Sequence, residues 1–324
     1  MEEEGEKRTV CVTGAGGYVG SWLVKLLLSK DFIVHGTVRD PSDGKNAHLQ
    51  KLEKASDNLQ LFKADMLNYD DVASAIAGCE GVFHVASPVI STKVPDPEVQ
   101  IIAPAVTGTL NVLKACSEAN VKRVVVVSST AAVIMNPNWP QDKVKDEDCW
   151  SDKEHCRKIE NWYFLSKTLA ESEALEYAEK HGLDVVTVCP CMIIGPSLQS
   201  TVNASTLFVS NLLKEGRESL ENKAWHLVDV RDVADALLLV YEKPEATGRY
   251  ICAPYCIKTC DMVDMLKSIY PNHSYPKNFV EVEDDAGMSS EKLQMLGWTC
   301  RTLKESLMDS FEYYVDAGLL NKDY

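Results

Sequence analysis

Thr9–Gly20 reads TVCVTGAGGYVG, and this stretch decides the fold. Thr9 to Thr13 is a short run suited to a buried strand. Gly14, Gly17 and Gly20 follow at three-residue spacing, and Ser21–Ser29 (SWLVKLLLS) carries a helical apolar period. Strand, glycine turn and helix in that order are what a pyrophosphate needs. A turn without Cβ atoms lets the anion lie against backbone N–H groups at the positive end of the helix. The Gly-x-x-Gly-x-x-Gly spacing departs from the commoner Gly-x-Gly-x-x-Gly, so the match is to a variant dinucleotide seat. The alternative is a glycine turn that only lets a helix pack on a strand.

Around this seat, strands and helices alternate at the pace of a doubly wound parallel sheet. Ile33–Val38 is the second strand, Leu59–Lys63 the third, Gly81–Val85 the fourth, Lys122–Val127 the fifth and Asp184–Cys189 the sixth. Helices are predicted over Asp70–Ala77, Pro104–Ala119 and Asn161–Lys180. The fold class is therefore α/β, a Rossmann sheet with a smaller C-terminal substrate domain. The expected division is residues 1–190, with a returning segment at about 225–242, against 191–324. The strand Arg249–Cys252 and the helices near Asp261 and Leu303 are assigned to the smaller part.

The 324 residues are 45% hydrophobic and 25% charged, enough for a large core. The formal charge of −15 argues against a nucleic-acid surface, so an anionic ligand must meet a local basic site. MEEEGEKR lacks the apolar core of a signal peptide, and no run is expected to reach the roughly 20 apolar residues of a membrane span. The expectation is a cytoplasmic protein without a membrane partner, its oligomeric state open and a monomer admissible. Eleven Cys without a regular framework fit reduced thiols. Cys252, Cys256 and Cys260 contain no Cys-x-x-Cys pair, and no metal is expected.

Arg39 stands at the tip of the second strand, where a carboxylate would select NAD and a cation accepts the 2′-phosphate of NADP. Lys45 follows in the next loop. The cofactor expected is NADP(H), with Asp40 as the alternative recognition residue. Asp65 and Met66 fall beside the adenine, and Val85, Ala86 and Ser87 at the carboxyl end of the fourth strand. His84 is read as a core residue or as one supporting the site from behind, with a catalytic role as the alternative. Asp229 and Asp232 are read as helix caps. Further cofactor contacts are expected from Thr13, Gly14, Gly16, Gly17, Tyr18, Val19 and Gly20, from Ser128, Tyr163 and Lys167, and from Pro190, Ile193 and Ser205.

Tyr163 and Lys167 stand at i and i+4, on one face of the helix Asn161–Lys180. With 12 Tyr and 33 Lys and Arg in the chain, about one Tyr-to-cation pair at this spacing arises by chance, so alone it is weak. It gains weight as the single Tyr-x-x-x-Lys, following a strand that ends in Ser128, Ser129 and Thr130. A carbonyl receiving a hydride develops negative charge on oxygen and needs a hydrogen-bond donor and a proton source. Tyr163 would give the proton. A free Tyr titrates near about 10, and Lys167 with a cationic nicotinamide would lower that value.

The words VTGAGGYVGSWLV, TVRDPSDGKNAHL, FHVASP, NWYFLSK, GPSLQSTVNAS, VDVRDVADA and TGRYIC resemble an extended short-chain dehydrogenase/reductase. Within it the chain is similar to the plant group of cinnamoyl-CoA and dihydroflavonol reductases, and the likeness covers nearly the whole chain. It implies Ser129, Tyr163 and Lys167 as the catalytic set, with Ser129 rather than Ser128 bonding the carbonyl oxygen. It also places Asn111 where many short-chain reductases hold a water.

The same resemblance bears on the substrate. Dihydroflavonol reductases carry an Asn where this chain has Ile134, which weakens a flavonoid reading. Cinnamoyl-CoA reductases read NWYCYGK where this chain has NWYFLSK. After the NAS motif they carry a His and a Lys, and later an Arg, implicated in CoA binding; here those positions fall at Phe208, Asn211 and near Thr259. The expectation is therefore NADPH-dependent reduction of a free aromatic aldehyde of the cinnamaldehyde type, with an apolar pocket of Ile134, Met135, Met192, Val202, Phe208 and Trp225. The alternatives are cinnamoyl-CoA reduction and an NADP(H)-sensing protein without turnover. Cys149 and Cys156 bracket WSDKEH before the catalytic helix; they are read either as a redox pair or as two plain thiols.

Overall fold

The computed structural model describes residues 7–87, 95–213, 219–283 and 287–321. The first half runs β1 (Thr9–Thr13), α1 (Tyr18–Ser29), β2 (Ile33–Val38), α2 (Ala47–Gln50), α3 (Ala55–Asn58), β3 (Leu59–Lys63), α4 (Tyr69–Ile76) and β4 (Gly81–His84). It continues through α5 (Ala103–Glu118), β5 (Arg123–Val127), α6 (Lys153–Lys158), α7 (Trp162–His181) and β6 (Val185–Pro190). Then come β7 (Met192–Ile194), α8 (Ala204–Leu213), β8 (Ser219–Asn222), β9 (Ala224–Asp229), α9 (Val230–Glu242) and β10 (Gly248–Cys252). The last elements are β11 (Tyr255–Lys258), α10 (Thr259–Ile269), β12 (Asn278–Glu281), α11 (Glu291–Met295) and α12 (Leu303–Asp316).

Seven strands form one parallel sheet in the order β10-β6-β5-β4-β1-β2-β3. The chain moves outward from β1 to β3, then crosses back to β4. The topological switch therefore lies between β1 and β4, where such sheets bind ligands. Both faces are covered, so the strands are apolar throughout, as RVVVV in β5 illustrates. Side chains alternate: Val10 and Val12 enter the core under α1 and α9, while Cys11 enters the core under α4 and α5.

Beyond β6 two small sheets, β11-β9-β7 and β12-β8, pack with α8, α10 and α12 around a third core that includes Ile194, Leu227, Phe311 and Tyr314. One expectation is corrected here. The strand at Arg249–Cys252 does not belong with this smaller part; it pairs with β6, Cys252 opposite Pro190, as the seventh strand of the main sheet. The returning segment is likewise split. Its β9 joins the small sheet, and its α9 packs on α1 and under β5 and β6. Glu98–Glu118 corrects another expectation: it is 21 residues long with a mean hydropathy of 1.3 over its most apolar 18 residues, long and apolar enough to cross a membrane. Half of that stretch is buried, and the helix packs against α4 and α7, which accounts for its composition.

Candidate active site

The glycine turn is shaped by close backbone approaches. Gly14 has φ +67°, and a Cβ there would stand 3.0 Å from Ala86 Cα. A Cβ on Gly20 would meet Gly14 O at 2.3 Å, so α1 can start against the turn only with glycine at that position. The turn is tied to β2 by Gly14 N–H donating to Thr37 Oγ1 and Ala15 N–H to Thr37 O, each at 3.0 Å. Gly17 caps α1 with no side-chain acceptor, and the first turn carries no acidic residue. A Cβ on Gly17 would meet only Gly14 O, at 3.3 Å, among the described residues. An uncapped helix start beside open space fits a pyrophosphate.

At the tip of β2, Arg39 is exposed and makes no hydrogen bond or ion pair among the described residues. Asp40 is occupied: its carboxylate accepts from Ser42 N at 2.9 Å and Ser42 Oγ at 2.7 Å, which hold it below the usual carboxylate range. The anion partner available at the tip is thus the cation. Lys45 is bonded to Asp43 at 2.9 Å. Asn46 is a residue the sequence reading missed: buried, it donates to Asp40 O at 2.8 Å and closes the loop over Gly16. Asp65 Oδ1 accepts from Leu67 N at 3.0 Å, and Asn111 Nδ2 donates to Met66 O at 2.9 Å, so both residues hold the turn after β3.

Val85, Ala86 and Ser87 leave β4 half-buried beside the turn. Val85 N and Ala86 N both donate to Thr13 Oγ1 at 3.1 Å. The Thr13 hydroxyl must then donate to His84 Nδ1 at 2.9 Å, which leaves Nε2–H to donate to Thr109 at 3.1 Å. His84 is buried and neutral; burial first, and the charge of Lys167 second, press its pKa down to about 3. It is a structural link, as the sequence reading held.

Ser129 follows β5 and caps the short helical turn Thr130–Ala132, its Oγ accepting from Ala131 N at 3.1 Å. Asn161 caps α7 through Phe164 N, which sets Tyr163 in the first turn and Lys167 one turn on. The Tyr163 phenol lies close enough to the Ser129 side chain to feel it. Burial raises the Tyr163 phenol above its ordinary value, and the neighbouring Ser129 side chain opposes this. The direction is opposite to that expected from Lys167. Lys167 Nζ donates to Val127 O at 3.3 Å, and burial lowers its pKa to about 8.

Other predicted residues have different placements. Ser128 Oγ is buried and donates to Glu171 Oε2 at 2.8 Å. Ser205 donates to Asn203 Oδ1 at 2.8 Å, in the cap of α8. Pro190 lies at the end of β6 opposite Cys252, and Ile193 in β7 opposite Val228. Ile134 packs on the main core, Met135 beside Trp162 and Phe164, and Met192 and Trp225 on the third core. Phe208 meets Trp225 edge to face at 5.0 Å between centroids, and Val202 is half-buried.

Asp229 caps α9 through Arg231 N at 2.9 Å, whereas Asp232 holds Arg301, accepting from its backbone N at 3.0 Å. Cys149 and Cys156 are both buried and are not joined in a disulfide, and they enter separate clusters, in line with the plain-thiol reading. Cys149 Sγ faces Val133 O at 3.2 Å. Among the described residues no group of His, Cys, Asp or Glu is arranged to hold a metal.

A doubly wound sheet with an uncapped glycine turn at its switch point, and Ser, Tyr and Lys at the carboxyl end of β5 and on α7, defines a short-chain oxidoreductase using a nicotinamide cofactor. The chain belongs to the NAD dependent epimerase/dehydratase family, whose profile matches residues 10–253. It is 44% identical over 317 residues to cinnamoyl-CoA reductase 1 of Petunia hybrida, covering 97% of this chain and 94% of that protein. Its fold is similar to vestitone reductase from alfalfa (Medicago sativa L.), with TM-score 0.84 and 32% identity over 97% of this chain and all of that one. It is also similar to yeast methylglyoxal/isovaleraldehyde reductase complexed with NADPH, with TM-score 0.78 and 25% identity over 95% and 98% of the two chains.

Proposed function

We propose that the protein is an NADPH-dependent reductase of hydroxycinnamoyl-type carbonyl compounds, with the CoA thioester as substrate and the free aldehyde as the second reading. The observation that carries the reductase activity is the placement of Tyr163 beside Ser129, with Lys167 a turn further along α7. When bound, the reduced nicotinamide supplies a hydride to the carbonyl carbon. Arg39 is the cation for the 2′-phosphate, the α1 N-terminus takes the pyrophosphate, and Lys167 is positioned to bond the ribose hydroxyls.

Tyr163 gives its phenolic proton to the carbonyl oxygen as the hydride arrives at carbon, and Ser129 donates a hydrogen bond to the same oxygen. Burial keeps the phenol protonated at neutral pH, as a proton donor requires. With an aldehyde the product is the alcohol. With a thioester the tetrahedral adduct expels the CoA thiolate and leaves the aldehyde. The net change in that case is thioester, NADPH and a proton going to aldehyde, NADP+ and free thiol.

The thioester reading is supported by the cinnamoyl-CoA reductase of Petunia hybrida, alike along nearly its whole length. The aldehyde reading keeps one specific observation: Thr259 is buried and bonded to Trp225 Nε1 and Lys223 O, and Phe208 is packed on Trp225, so neither position offers a cation to CoA phosphates. NADPH consumption with feruloyl-CoA and with coniferaldehyde at matched concentrations tests both. Preference for the thioester is the expected result, and turnover of the aldehyde alone would overturn it. Tyr163→Phe with unaltered turnover would remove the catalytic assignment in favour of a sensor.

A further inference from the structure

Behind the reacting residues lies a buried charge pair with no direct part in hydride transfer. Glu171 follows Lys167 by one turn of α7, and its side chain is fully buried. Its Oε1 accepts from Arg249 Nε at 2.8 Å and from Thr187 Oγ1 at 2.6 Å, and its Oε2 from Ser128 Oγ at 2.8 Å and Arg249 Nη2 at 3.2 Å. Arg249 comes from β10, the edge strand two places from β5. Its guanidinium also donates to the carbonyls of Glu147 at 2.8 Å, Cys149 at 2.9 Å and Ala132 at 3.3 Å, and lies 3.5 Å from the centre of the Trp150 ring.

These bonds end on both sides of Ser129. Ser128 precedes it in the chain, and Ala132 closes the turn that Ser129 caps, with Ala132 N donating to Ser129 O at 2.9 Å. The segment held by Arg249 runs on to Ser151, whose Oγ donates to Ala131 O at 2.7 Å and whose N–H donates to Ala132 O at 2.9 Å. An apolar pair of equal volume would fill this core without the desolvation penalty of two charges, so stability alone gives no reason for the ions. Directional bonds do, because they fix the angle at which a turn leaves the sheet.

We propose that Glu171 and Arg249 are positioning residues of the reductase site, holding the Ser129 hydroxyl and the Lys167 ammonium in register with Tyr163. The proposal rests on Ser129, Tyr163 and Lys167 being the reacting set. The groups facing Lys167 are Glu171 on its own helix, Cys189 from β6 and His84 from β4. Glu171 favours the charged ammonium, so its neutralisation also lowers the pH at which Lys167 loses its proton.

The test is steady-state kinetics of the full-length protein with Ser128→Ala, Glu171→Gln, Arg249→Lys and Arg249→Met, beside NADPH titration and thermal melts. In Glu171→Gln, kcat should fall between about 10- and 100-fold, the cost of misplaced reacting groups. NADPH affinity and substrate KM should stay within about twofold, and the alkaline limb of the pH profile should move to lower pH. Arg249→Lys should recover part of what Arg249→Met loses. Parental kcat with an unmoved pH profile in folded Glu171→Gln overturns the proposal. If that variant does not fold, parental kcat in both Ser128→Ala and Arg249→Lys overturns it. Retained turnover in Tyr163→Phe would instead sink the reacting set itself, so the two failures read differently.

Discussion

Lys167 Nζ donates to the carbonyl oxygen of Val127 at 3.3 Å, and Val127 is the last residue of β5, two before Ser129. The ammonium is thus anchored to the strand that presents the serine, while its own helix presents Tyr163. Strand and helix meet through that side chain.

Burial lowers Lys167 from 10.5 to about 8, and this gives a pH prediction. Below about pH 8 the ammonium is charged and supports Tyr163; above it the support is lost. Tyr163, raised by burial, stays protonated over the same range. Reduction measured as kcat/KM should be flat below about pH 8 and fall above it. The folded chain binds fewer protons than the unfolded one between about 8 and 10.5, so stability should rise with pH across that window. Urea melts of Lys167→Met should lack that rise.

Arg39 is exposed, makes no ion pair among the described residues and stands beside an Asp40 already bonded to Ser42. Removing Arg39 should weaken NADPH by about 10- to 100-fold, the worth of a charge-assisted phosphate contact. NADH should be nearly unaffected. Fluorescence titration of Arg39→Ala with both cofactors checks this; equal weakening of the two would put the 2′-phosphate elsewhere.

Gly20 and Gly17 should separate folding from binding. A Cβ at Gly20 collides with Gly14 O at 2.3 Å, so Gly20→Ala should lower the melting temperature and abolish cofactor binding together. At Gly17 the nearest atom is 3.3 Å away, and a methyl group would stand at the helix start. Gly17→Ala should melt near the parent yet bind NADPH poorly. Melts and titrations of the two variants provide the comparison.

A cation placed beside Phe208 should act on the thioester alone. Asn211→Lys is expected to lower KM for feruloyl-CoA about two- to fivefold, an exposed charge contact, and to leave coniferaldehyde unchanged. An unchanged thioester KM would mean that the CoA phosphates lie away from α8.

Cys149 and Cys156 are both buried and not joined in a disulfide, whereas Cys256 is exposed. A thiol reagent on the native protein should modify Cys256 and leave the other two intact until unfolding. Activity should be the same before and after mild reduction.

The strand, glycine turn and helix at Thr9–Ser29, the alternation of strands and helices up to β6, and the spacing of Tyr163 and Lys167 were all legible in the sequence. Each depends on residues within a few positions of one another, where period and backbone sterics leave a local signature. Asn111 and Asp232 were harder: a lone polar side chain gives no sign of whether it will meet a ligand, a backbone carbonyl or an arginine from a distant loop.

What the tertiary structure alone decided is where distant segments meet. Glu171 and Arg249 are 78 residues apart, and neither has a neighbour in sequence that announces the other. Gly248–Cys252 reads as an ordinary short strand, and only the free edge of β6 draws it into the main sheet. Cys149 and Cys156 are close in sequence, yet their side chains enter different cores because a short loop and α6 turn between them. Periodicity along the chain determines the elements; contacts between surfaces made by separate elements determine which side chains share a site.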